Sequence, residues 1–267
     1  MRVQTFPAPW RGGSYRVLHV GIYLPPGYSS GARTYPVIYE TPFTYRSWQI
    51  GTSIAPTLDQ LITSGAIPPT IVVFVPETGG AYPDAECANS ADGREWLDRF
   101  ISTTLVDWVD ASFRTIPTPA ARTVLGFSQG GYCAAALTLR HPDVFGSAVS
   151  ISGYFTAGIR SGETPNAWRP FGGNASVIAA DSPMLIAPTL APVVRRSVFV
   201  VLVAQPGNPF FGSQAAAFAA VLGRAGYPLA VIATGQGHSW GQVRTALAAT
   251  LELIALRQAQ LGVPLNG

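Results

Sequence analysis

The run SVFVVLVA, residues 197–204, places seven apolar side chains in succession, four of them Val. A strand sends alternate side chains to opposite faces, so a run with no polar side of its own has to be covered on both. TIVVFVP (70–76) makes the same demand. RVLHVGIYL (16–24), PVIYE (36–40), RTVLGF (122–127), GSAVSIS (146–152) and LAVIAT (229–234) read as further strands. Helical patterns at about 53–64, 93–113, 129–140, 212–225 and 241–260 lie between them. Doubly covered strands alternating with helices predict an α/β fold of three layers, with a mostly parallel central sheet between helices.

Composition supports one core. The 267 residues are 48% hydrophobic and only 12% charged, roughly half the usual charged share, which excludes disorder and implies extensive burial. A single domain is expected over 1–267, with an irregular cap-like segment rich in Gly, Pro and Trp at about 154–180. The net charge is +3, and all 17 basic residues are Arg. Without Lys, Schiff-base chemistry and Ser-Lys dyads are excluded. The Arg residues are scattered apart from Arg195-Arg196, so no nucleic-acid stripe is read. No run reaches ~18 apolar residues, so no membrane span is expected. The N-terminal stretch lacks the apolar region of a signal peptide, which predicts a cytoplasmic chain as written. It starts almost at a strand, however, and reads equally well as a domain of a longer secreted or membrane-anchored protein.

Chemistry concentrates at two turns. Gly126-Phe127-Ser128-Gln129-Gly130-Gly131 joins the strand RTVLGF to a helix, so the small residues let a tight turn hold Ser128 exposed above the sheet. The backbone N–H of Gln129, at the helix N-terminus, would point at a developing oxyanion. His238, in the turn TGQGHSWG after LAVIAT, lies at the end of a strand where open α/β sheets place their sites. Of the other two histidines, His19 falls in a strand pattern and His141 at a helix end, where a capping role is expected. Ser128 is thus the candidate nucleophile and His238 the candidate base.

With YLPPGY, GFSQGGYCAAALTLRHPDVFGSAVSISGYF and GQGHSW in view, the chain resembles the α/β-hydrolase superfamily. More narrowly it resembles the esterase family that includes esterase D, feruloyl esterases, enterochelin esterases and the antigen 85 mycolyltransferases. The resemblance implies acyl transfer from a small-molecule or lipid ester to water or an alcohol through a Ser-bound acyl intermediate, with no cofactor and no metal. Where the family often has His-Gly-Gly, this chain has YETPFTYRSW; Pro42 has no N–H, so the second oxyanion donor falls to Phe43 ahead of Thr44.

The larger departure is the acid. The loop where the family commonly carries Asp or Glu reads AQPGNPF, and no carboxylate occurs from Ser182 to Leu251. Two candidates for the third catalytic member follow: Asn208, as an orienting amide, and Glu163, in the irregular segment. Glu40, Glu77, Asp84 and Glu86 are further carboxylates from earlier loops, while Asp181 reads as the cap of the helix opened by Pro183. An amide orients an imidazole but does not stabilise the imidazolium, and Asp→Asn in a protease triad costs about four orders of magnitude in turnover. The departure therefore leaves a second reading open, a weak or inactive esterase-fold protein that binds a cell-envelope lipid, glycan or protein.

Cys87 and Cys133 fall near the ends of adjacent strands, where they read either as a disulfide, implying an extracytoplasmic compartment, or as two separate buried thiols. Glu86 is a candidate contact for a cationic substrate group or part of a solvated acidic loop. Trp240, Trp168 and Phe171 are candidates for an acyl pocket or for packing.

Overall fold

The computed structural model describes residues 2–9, 15–75, 82, 85–159 and 169–264, so Glu77, Asp84, Glu163 and Trp168 lie outside the described residues. Its strands are β1 (Arg2–Pro9), β2 (Tyr15–Tyr23), β3 (Val37–Glu40), β4 (Ile71–Phe74), β5 (Arg122–Phe127), β6 (Ser147–Ile151), β7 (Phe199–Ala204) and β8 (Leu229–Ala233). They form one eight-stranded sheet in the order β1-β2-β4-β3-β5-β6-β7-β8. β2 runs antiparallel to β1 and β4, and every other pairing is parallel. Every residue of β3 to β7 is buried, as the unbroken apolar runs require. β1 escapes a reading based on such runs. It carries Pro7 and Pro9, which a strand tolerates at the edge of a sheet, where β1 lies.

The helices are α1 (Tyr45–Thr52), α2 (Ile54–Thr63), α3 (Leu97–Arg99), α4 (Val106–Ser112), α5 (Gln129–Arg140), α6 (Ala175–Asp181), α7 (Pro183–Ile186), α8 (Pro192–Ser197), α9 (Phe211–Ala225) and α10 (Trp240–Gln260). The helix expected over 93–113 is interrupted by a π-helical stretch, Phe100–Leu105, between α3 and α4. One face of the sheet packs against α1, α2 and α10 through Trp48, Leu58, Leu247 and Leu251. The other packs against α4, α5 and α9 through Val109, Leu137 and Phe218. No helix among the described residues is long and apolar enough to cross a membrane.

Asp181 is not the cap its sequence suggested. It closes α6, and its carboxylate pairs with Arg140. Ser182 occupies the position before Pro183 instead. Phe171 is wholly buried, which makes it a packing residue.

Candidate active site

Ser128 joins β5 to α5 with φ 60° and ψ −119°. A non-glycine residue holds positive φ only under constraint. Here its N–H donates to the Ile151 carbonyl of β6 (2.8 Å), and its own carbonyl accepts from Gly131 N–H (2.9 Å). The turn closes because Gly126 and Gly130 meet backbone to backbone, where a Cβ on Gly126 would collide with Gly130. A Cβ on Gly130 would collide in turn with the Thr41 carbonyl oxygen, so the Ser128 turn sits directly against the turn after β3. Phe43, partly buried, follows in that turn, and Gln129 opens α5.

His238 reaches this elbow from the loop between β8 and α10. Its Nε2 lies 2.7 Å from Ser128 Oγ. Phe211 stacks on the imidazole at 4.2 Å and 10°, and Phe127 lies against it at 4.7 Å. His238 stays exposed at its edge, but desolvation by the rings against it disfavours the imidazolium and holds its pKa below the ordinary 6.5, while a hydrogen bond to its own backbone carbonyl works in the opposite direction. With Nε2 facing Ser128, that carbonyl falls to Nδ1–H, the tautomer in which Nε2 accepts the serine proton. Trp240 packs behind these rings against Phe127 (5.3 Å), Phe43 (5.4 Å) and Trp48 (5.4 Å).

The sequence candidates for the third member separate here. Asn208 Oδ1 accepts the backbone N–H groups of Phe210 (3.1 Å) and Phe211 (2.8 Å), at the start of α9. The loop after β7 approaches the base through Gln205 instead, whose Oε1 lies over Gly237. Among the described residues no carboxylate comes within ion-pair distance of His238. Glu40, at the end of β3, is buried, and neither of its carboxyl oxygens has a well-formed hydrogen bond. Glu86 is wholly buried as well, accepting from Tyr154 Oη–H (2.7 Å) and Gly158 N–H (2.8 Å), which fixes the 154–158 loop. That placement leaves Glu86 holding the protein together, with no carboxyl oxygen turned to solvent. His141 contacts Asp98 (2.9 Å) at the far end of α5.

Comparison with known proteins gives this arrangement a family. The Esterase family model matches residues 15–258. The chain belongs to that family. An esterase of Mycobacterium tuberculosis is 32% identical over 161 residues, covering 57% of this chain and 31% of its own length. The MPT51 antigen of Mycobacterium leprae is 40% identical over 83 residues, covering 31% of this chain and 27% of its own. Thus the matched part spans less than a third of either relative. A solved ferulic acid esterase superposes with a TM-score of 0.78 at 19% identity, covering 96% of this chain and 98% of its own, which shows that the fold is that of α/β-hydrolase-like esterases. The family resemblance and the three-layer architecture read from the sequence both stand.

The two cysteines are bonded. Cys87–Cys133, with Cα atoms 5.6 Å apart, ties the 85–88 loop to α5, the helix that Ser128 opens, and Thr41 Oγ1 lies 3.3 Å from Cys87 Sγ. The rings around His238 were not anticipated as a group. Phe127 sits inside the GFSQGG motif and Phe211 just past the loop AQPGNPF, so only folding brings both against His238.

Proposed function

We propose that the protein is a serine esterase or acyltransferase acting on a carboxylic ester through a Ser128 acyl-enzyme. The observation that carries this reading is the 2.7 Å contact between His238 Nε2 and Ser128 Oγ at a turn of positive φ. Ser128 Oγ attacks the ester carbonyl while His238 Nε2 takes its proton, and the tetrahedral oxyanion forms against the backbone N–H of Gln129, with the Phe43 N–H, which faces the Glu40 carboxyl, turning to it as the second donor. Collapse expels the alcohol, which leaves with the proton from His238. Water or an acceptor alcohol, deprotonated by the same imidazole, then releases the acyl group and restores Ser128. Partly buried Phe211, stacked on the imidazole, with Trp240 and Phe43 packed behind Phe127, makes this end of the site apolar, which suits a hydrophobic or aromatic acyl group.

Two residues compete for the third position. Asn208 has its oxygen engaged at α9, and Glu163 is a carboxylate of the segment after β6. The competing reading, a binding protein of the same fold, has on its side that no described carboxylate reaches His238. The disulfide supports an oxidising, extracytoplasmic compartment.

A fluorophosphonate probe and p-nitrophenyl esters of graded chain length test the reading on wild type beside Ser128→Ala. Labelling and turnover that vanish in Ser128→Ala are expected; their absence from the wild type would sink the enzyme. Because His238 must be neutral to act as base, kcat/KM should fall on the acid side with a midpoint below 6.5. A midpoint above 6.5 would instead report a carboxylate against the imidazole, and Glu163→Gln would then be expected to lower it.

A further inference from the structure

A chain of uncharged hydrogen bonds runs beneath the base loop. Ser152 Oγ–H donates to Gln242 Oε1 (2.5 Å), Gln242 Nε2 donates to Thr234 Oγ1 (2.9 Å), and Thr234 Oγ1–H donates to the Gln236 carbonyl (3.0 Å). All three side chains are buried, Gln242 completely. The polarity of the chain is fixed at one end. Thr234 has a single hydroxyl proton, and the Gln236 carbonyl takes it, so the amide has to present Nε2 to Thr234 and Oε1 to Ser152.

This chain connects the two halves of the site. Ser152 directly follows Ile151, whose carbonyl accepts the Ser128 N–H. Gln236 and Gln242 bracket His238 in sequence, and Thr234 N–H anchors the start of the loop on the Ala204 carbonyl of β7 (3.0 Å). The Gln242 N–H returns to Ser239, closing the other end of the loop. Among the described residues, His238 itself meets the Phe127 and Phe211 rings, its own carbonyl and Ser128.

We propose that Gln242 is the positioning residue for His238, holding the base loop at a fixed distance from the nucleophile through a buried neutral relay from Ser152 to the Gln236 carbonyl. The inference rests on the serine-hydrolase reading above. A relay of this kind orients the imidazole but supplies no charge to the imidazolium. It would act on kcat and leave substrate binding alone, because its three side chains are buried beneath the base loop, away from solvent. Displacing a catalytic group by about 1 Å costs on the order of a hundredfold in rate.

The test compares Thr234→Val with Thr234→Ser, alongside Gln242→Leu and Ser152→Ala, each assayed well below its own melting temperature and normalised to folded protein by circular dichroism. Val matches Thr in shape but lacks the hydroxyl, so Thr234→Val and Gln242→Leu should lower kcat and the rate of fluorophosphonate labelling by about tenfold to a hundredfold, with KM within about twofold. Thr234→Ser, which keeps the hydroxyl, should hold kcat within about twofold. Ser152→Ala, which spares the Thr234 half of the relay, should fall between them. If the wild type turns over but Thr234→Val and Gln242→Leu match it in kcat, the relay is overturned and the hydrolase reading stands. Equal losses in Thr234→Ser and Thr234→Val would overturn it too, because bulk packing would then be the cause. A wild type without Ser128-dependent turnover fails at the earlier step, and both fall together.

Discussion

The two faces of the sheet hold their helices by different chemistry. On the α5 face, Arg140 pairs with Asp98 (2.8 Å) and with Asp181, donates to the Cys87 carbonyl (3.2 Å), and lies on the helix that the disulfide crosses. On the face of α1, α2 and α10 there is no ion pair among the described residues. Its buried polar groups include Gln242, Ser152 and the carboxyl of Glu40. The candidate dyad straddles the two. Ser128 heads the charged, cross-linked helix, whereas His238 precedes α10 and depends on ring packing and neutral hydrogen bonds. Damage on the α5 face should therefore appear first as lost stability, and damage on the α10 face as lost turnover.

The largest effect is expected at Arg140. Its side chain and those of Asp98 and Asp181 are no more than 15% exposed, so the pairs are not screened as surface pairs are. Arg140→Ala would take the Arg partner from the buried Asp181 carboxylate and leave Asp98 with His141 alone, at a cost of about 3–5 kcal/mol. At roughly 2–4 °C per kcal/mol for a chain of this size, Tm should drop by about 10 °C. A loss below ~1 kcal/mol would mean the network is solvated and the comparison false. Burial opposes the ionised form of Asp98, but Arg140 and His141 outweigh it and hold the carboxyl below 3.8. A depressed carboxylate stabilises above its unfolded pKa, so wild-type stability should decline as pH falls below about 4, and that decline should be shallower in Arg140→Ala. Next comes the disulfide. Cys87→Ala with Cys133→Ala should cost about 2–4 kcal/mol, and reductant should lower the Tm of wild type but leave the double variant unmoved.

The sequence made the α5 face and the nucleophile turn legible because both are local. Apolar runs name the strands, and the glycines around Ser128 mark the close approaches that Gly126 and Gly130 go on to make. His238 was legible by its place after a late strand. The α10 face was harder to read because its contacts are distant in sequence. Ser152 and Gln242 are 90 residues apart and leave no periodic signal, and Glu40 ends an apolar strand pattern in which its own burial is invisible. Asn208 is ambiguous for a physical reason: an Asn side chain just ahead of a helix satisfies the first N–H groups as readily as it would orient an imidazole.

Glu40 sharpens the comparison from the neutral side. Burial pushes its carboxyl well above 4.5, and the nearby Trp48 side chain and Phe43 N–H offset this only in part. Burial therefore favours the protonated carboxyl in the folded protein, whereas the unfolded chain ionises it near 4.5. Its contribution is intact below that pH and is lost as pH rises toward the folded pKa. Glu40→Gln removes the titration. The stability of the variant relative to wild type should grow by about 1.4 kcal/mol per pH unit above pH 5, read from urea unfolding at a series of pH values. A difference that stays flat would show an ionised carboxylate on this face and erase the contrast.

The smallest expected effect separates anchoring from catalysis at Asn208. Alanine there removes the acceptor for Phe210 and Phe211 N–H, at about 1 kcal/mol. Phe211 is also the ring stacked on His238, so any loosening of the helix start would reach the base through that contact. If Asn208 only anchors α9, Asn208→Ala should leave kcat/KM within about twofold. Asn208→Asp should keep the acceptor, gain from the helix dipole and be at least as stable as wild type. Turnover that rises a hundredfold in Asn208→Asp would instead show that this loop delivers a carboxylate to His238 in solution, placing the third member on the charged side and making Asn208 the reason the base lacks it.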